Sequence, residues 1–151
     1  MEYAHDNLSN RMAKLLGQAV KESGQSLAEI ARLARIKRDT LRRIINGTRA
    51  ATILDATAIL EAAGLAGEQS LILMLLTDPD VALLRSGTAA GAFMCELMRH
   101  LPHEIIEQLG DNLEDLRPRW ALGTAKMFAR ILGQHVADLN LRGDAIGRNE
   151  T

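Results

Sequence analysis

Apolar residues return along this sequence at steps of three and four, and short polar or Gly/Pro breaks separate the runs, which is the period of helices with one buried face. Met12, Leu15, Leu16, Ala19 and Val20 define the first, opened by Ser9 and closed near Gly24. Ser26 with Glu29 has capping-box spacing and opens a second, short helix whose apolar face is Leu27, Ile30, Ala31 and Ala34. The pattern restarts at Leu41, Ile44 and Ile45 and stops at Asn46-Gly47, where both residues tolerate positive φ. Thr52 caps a fourth helix carrying Ile53, Ala56, Ile59, Leu60 and Ala63, and residues 68–76 form a fifth, apolar on most sides.

Asp78-Pro79-Asp80 then breaks the periodicity, because the residue before a proline is pushed out of the helical region, and a domain boundary is expected there. Beyond it, residues 88–100 predict one helix. Pro102 suits the first turn of another, carrying Ile105, Ile106 and Leu109, and Pro118 opens a long one striped by Leu122, Met127, Phe128, Ile131, Leu132 and Val136. From about Leu139 the chain is expected to thin into a mobile tail. With aromatics at 3% and β-branched residues scattered, the fold class is all-α, divided into residues 1–77 and 78–151.

The length, 151 residues, leaves room for one ordinary domain or two small ones. One cysteine, Cys95, excludes an internal disulfide, and the absence of a basic, apolar leader beside Glu2 and Asp6 gives no export signal, so a cytoplasmic location is expected. The longest apolar run, residues 71–76, falls far short of the roughly 20 residues of a membrane-spanning helix. No Gly-rich phosphate loop or nucleophile elbow is present, so an enzyme is not expected. Cys95, Glu96, His100, His103 and His135 have ligand chemistry, but without paired-cysteine spacing and with His100 and His103 on separate predicted helices no metal or cofactor is expected. Arg117 and Arg119 flank Pro118 as a solvated turn, and Gly87-Thr88-Ala89-Ala90-Gly91 is either a close-approach surface or a loop entering a helix.

Charge changes the picture. The net charge of -1 divides into +3 over residues 1–66 and -4 over residues 67–151, and residues 32–49 alone carry +6 from Arg32, Arg35, Lys37, Arg38, Arg42, Arg43 and Arg49 against Asp39. Such a patch attracts a phosphate backbone through counterion release. Two short helices joined by a tight turn, the second basic and ended by Asn-Gly, have the outline of a DNA-reading helix-turn-helix.

Residues 12–65, above all Ser26-Leu27-Ala28-Glu29-Ile30-Ala31, Asp39-Thr40-Leu41 and Ile45-Asn46-Gly47, resemble the Cro and phage-repressor type of helix-turn-helix domain, a five-helix DNA-binding fold. The resemblance implies that residues 27–34 support and residues 38–46 read DNA. Its base-facing slots fall on Arg38, Asp39 and Arg43, with Arg42 beside them; Lys37, Thr40, Thr48 and Arg49 fall where phosphates are touched. Arginine bidentate to guanine and Asp39 accepting from cytosine favour G·C-containing half-sites. Three positions depart from the family pattern: Arg35 stands at a turn position commonly Gly, Leu27 at a slot often filled by a phosphate-binding Gln, and Val20 with Ile45 where some members bury an Arg–Glu pair.

Residues 78–151 resemble no named module. Their apolar helix faces exceed what about 60 ordered residues can cover, so self-association is expected. The expectation is therefore a homodimeric, double-stranded-DNA-binding repressor. The alternative is an interaction protein (an antitoxin, an anti-repressor or an RNA polymerase adaptor) that engages another regulatory protein through its acidic half.

Overall fold

The computed structural model describes the backbone of residues 8–147 and the side chains of residues 8–142. The expectations placed on Glu2, Asp6 and the last four residues lie outside that range. The chain is all-α, and no strand occurs among the described residues. In order come α1 (Leu8–Glu22), α2 (Leu27–Leu33), α3 (Arg38–Ile45), α4 (Ile53–Ala62), α5 (Gly67–Leu76), α6 (Pro79–Arg85), α7 (Ala89–Leu109) and α8 (Ala121–Gly147). No single helix among them is long and apolar enough to cross a membrane.

The chain divides into a unit of residues 1–103 and a unit of residues 104–151. In the first, Leu15 and Leu16 of α1, Ile30 of α2, Leu41 and Ile44 of α3, Ile59 and Leu60 of α4, and Leu73 and Met74 of α5 are all but fully buried. All but Leu73 and Met74 are positions that the three-and-four spacing selected, because a periodic apolar face is stable only against other such faces. Helices α4 and α5 meet closely at Gly67, where a Cβ would lie 2.8 Å from the Thr57 carbonyl oxygen.

The Asp78-Pro79 break is a helix start, with Asp78 as the N-cap, and the two compact units divide after residue 103. Asp78 leaves the helical region before the proline, and its side chain caps α6 by accepting from Val81 N at 2.9 Å. α6 then buries Pro79 and Ala82 against α1 and α5. From α1, Lys14 Nζ and Gln18 Nε2 each donate to the Asp80 carboxylate at 3.1 Å, while Arg11 donates to the Met74 and Thr77 carbonyls at the end of α5. Ser70 and Ser86 share a 2.6 Å hydroxyl hydrogen bond beside the Ala66 carbonyl. The Gly87–Gly91 run is a loop entering a helix: Gly87 has φ +74°, Thr88 Oγ1 accepts from Gly91 N, and a Cβ at Gly91 would run into the Arg85 carbonyl.

The hydrogen bond from Gln18, and then the hydrogen bond and charge of Lys14, hold the Asp80 carboxyl below its ordinary range. A carboxylate depressed on folding stabilises fully above its unfolded pKa, near 4, and loses that contribution as pH falls through the folded value. Asp80→Asn is therefore expected to melt below wild type at neutral pH, with the gap closing in acid. Thermal melts across that range check the sign.

Two expectations are corrected. Pro102 lies inside α7 and opens no new helix, so His100 and His103 share one helix. The segment beyond Leu139 continues α8 to Gly147 and does not thin into a tail there. In the second unit, a 3-10 stretch (Gly110–Asp115) and a turn (Pro118–Trp120) precede α8, so Pro118 starts the turn and α8 begins three residues later. Arg117 Nη1 donates to the Glu114 carbonyl at 3.3 Å.

Candidate nucleic-acid interface

The basic segment is held by its flanking caps. Ser26 Oγ accepts from Glu29 N at 3.2 Å, which makes one half of the expected capping box. The other half is missing: the Glu29 carboxylate turns to Arg32, whose Nε donates at 3.0 Å, and this bond holds the Glu29 carboxyl below the usual range. Arg32 is thereby neutralised, and the freely presented charge is smaller than the +6 of the sequence.

The α2–α3 turn takes up a left-handed residue without glycine. Arg35 has φ 57°, Arg35 N donates to the Arg32 carbonyl and Ile36 N to the Ala31 carbonyl at 3.0 Å, which is the Schellman arrangement that closes a helix. Ile36, packed on the core, fixes the turn despite the steric penalty of a side chain in that region. Arg35→Gly is expected to stabilise the fold by about 0.5–1 kcal/mol, read as a shift of the denaturant midpoint at unchanged slope.

α3 follows with Lys37 at its N-cap, extended (φ -68°, ψ 137°) and making no side-chain cap. Leu41 and Ile44 point into the core. Arg38, Asp39, Arg42 and Arg43 are exposed, and their one, three and four-residue spacings gather them on the opposite face. Thr40 sits half-buried at the edge of that face. Among the described residues none of Arg38, Arg42, Arg43 and Arg49 makes an ion pair. Gly17 of α1 lies at ordinary contact distance from α3, a Cβ there falling 3.6 Å from the Ile45 carbonyl oxygen and 3.9 Å from Ile45 Cβ.

The end of α3 organises the following loop, a feature that sequence reading missed. Gly47 is left-handed at φ +72°, and the Arg43 carbonyl accepts from Thr48 N at 2.9 Å, Thr48 Oγ1 at 3.0 Å and Arg49 N at 3.0 Å. Residues 48 and 49 are thus tied to the exposed end of the helix. The Thr48 hydroxyl proton is committed to that carbonyl, so in this conformation it has no proton to give a phosphate; Arg49 does. The signal was Asn-Gly followed by Thr, since threonine side chains often return to a free helix-end carbonyl. Thr52 closes the loop with a complete capping box to Asp55.

The residues weighed for metal chemistry do not converge. Cys95 is buried on α7 with its Sγ 3.8 Å from the Gln69 carbonyl oxygen, and burial pushes its thiol pKa up, away from the reactive thiolate. His100 Nε2 lies 3.7 Å from Glu96, and His135 is on α8 in the other unit. Among the described residues no three His, Cys, Asp or Glu side chains gather to hold an ion. No protein-family model, curated protein or solved structure matches this chain.

Proposed function

We propose that the chain is a sequence-specific, double-stranded-DNA-binding transcription regulator, working as a homodimeric repressor on an inverted repeat. The observation that carries the reading is the outer face of α3: three unpaired arginines and one aspartate are presented together, while the inner face is locked into the core by Leu41 and Ile44. An α-helix fits the major groove, where arginine donates two bonds to guanine O6 and N7 and a carboxylate accepts from the cytosine amino group. Arg38, Asp39, Arg42 and Arg43 would read bases, and Lys37, Thr40, Thr48 and Arg49 would lie along the backbone, with Thr48 acting through its position more than its hydroxyl. The resemblance of residues 12–65 to the Cro and phage-repressor domains supports the same assignment. A two-fold dimer would set its half-sites about one DNA turn, roughly 34 Å, apart. Repression needs only occupancy of the site.

The test is selection from random duplex DNA with the full-length protein at about 150 mM salt, where non-specific phosphate binding is weakened. An enriched palindrome is the expected result. Failure to enrich any sequence would move the assignment to a protein adaptor acting through the acidic second half.

A further inference from the structure

α8 is a 27-residue helix on which every residue with a described side chain except Leu132 is exposed, and within its own unit the Pro118–Trp120 turn packs against it. Its apolar residues are concentrated on one side, with Met127 and Leu141 exposed on the other. At 100° per residue Ala121, Ala125, Phe128, Leu132, Val136 and Leu139 fall within a strip about 80° wide, with His135 at its edge. Leu122 and Ile131 flank the strip, and Lys126 and Arg130 stand on the far side. The interior glycines Gly123 and Gly133 weaken any helix left to itself, so this one depends on a partner along that strip.

We propose that the partner is α8 of a second copy, laid antiparallel. The strip is graded in size: Ala121 and Ala125 are its N-terminal end, Leu132, Val136 and Leu139 its C-terminal end, and Phe128 stands between. Two copies side by side in parallel would stack alanine on alanine at one end and leucine on leucine at the other, which leaves a void and a bulge. Antiparallel pairing about a two-fold near residue 130 sets Ala121 against Leu139 and Ala125 against His135, so that small meets large at both ends, while Phe128 meets Leu132 around the centre. Leu122 then flanks Val136 of the other copy, and Ile131 meets its own counterpart. From residue 121 to 139 the pair runs about 27 Å, and at ordinary helix spacing it covers roughly 1,000 Å² in total, the lower bound of a specific interface. Asp138 is the one carboxylate bordering the strip over this length, so an acidic or basic partner has little to grip there. The pairing rests on the homodimer part of the proposed function and is independent of DNA reading.

Sedimentation of the full chain over a concentration series tests it. Wild type is expected to be a dimer, and Leu132→Glu to weaken the dimer at least tenfold with helix content and the melting of the first unit unchanged. Orientation is read in a Cys95→Ala background: a mixture of Ala121→Cys and Leu139→Cys chains should form the disulfide between unlike chains, and Ala121→Cys alone should not. A wild type that stays monomeric, a Leu132→Glu chain that still dimerises, or ready crosslinking of Ala121→Cys to itself would each overturn the pairing. A monomer that still enriches a duplex would overturn it while leaving the DNA reading in place.

Discussion

Replacing Arg38 and Arg43 together by alanine is expected to lower affinity for the selected duplex by about 10²–10⁴-fold per half-site while changing the free energy of unfolding by no more than about 0.5 kcal/mol. Each bidentate arginine–guanine pair is worth roughly 1–3 kcal/mol, and two such losses on separate bases add in each half-site. The fold is spared because both side chains are exposed, neither makes an ion pair among the described residues, and alanine favours helix at least as well as arginine. Titration by fluorescence anisotropy, repeated at several salt concentrations, separates two kinds of contact. Losing a base contact should relax sequence preference at one position of each half-site, whereas Arg49→Ala should weaken all sequences alike and flatten the salt slope by about one per protomer. A large fall in melting temperature in the double variant would mean that this face of α3 supports the fold, and the assignment of the reading face would fail.

How much of this was legible beforehand depends on which force decides each element. The first five helices were placed almost to the residue, because burial in the first unit is set by apolar periodicity and their ends carry local capping chemistry at Ser26, Gly47 and Thr52. Where two local rules competed, the sequence was ambiguous. Glu29 could close a capping box or pair with Arg32, and the closer cation took it. Asp78-Pro79 could be a linker or an N-cap with proline in the first turn, and only the long-range bonds of Asp80 to Lys14 and Gln18 decide it. Pro102 could open a helix or sit within one; α7 continues through it, and spacing alone holds no trace of that choice. The exposed face of α3 was legible as charge, but the tie of Thr48 and Arg49 to the Arg43 carbonyl was not, since it depends on the left-handed turn at Gly47 bringing the loop back onto the helix.

The sixth helix yields the second large effect, in a pair of fragments. A fragment ending at Thr77, where the sequence pattern places the boundary, is expected to be largely unfolded, and one ending at His103 to melt cooperatively. Cutting after residue 77 removes the Asp80 bonds from α1, the Ser86 hydroxyl from Ser70, and the cover that α6, with Pro79 and Ala82 buried, gives to α5. Uncovering even about 150 Å² of that apolar surface costs about 4 kcal/mol, comparable with the whole stability of a domain of this size. Leu73 and Met74 would then face water beside Leu75 and Leu76, which are already exposed, so the short fragment should also aggregate. Circular dichroism melts of the two fragments at equal concentration decide the matter. A cooperative transition of the short fragment within a few degrees of the long one would show that α1–α5 stand alone and that α6 merely decorates them. With the expected outcome, DNA affinity is to be measured on the fragment ending at His103, because weak binding by the shorter one would report lost folding and say nothing about the tether between half-sites.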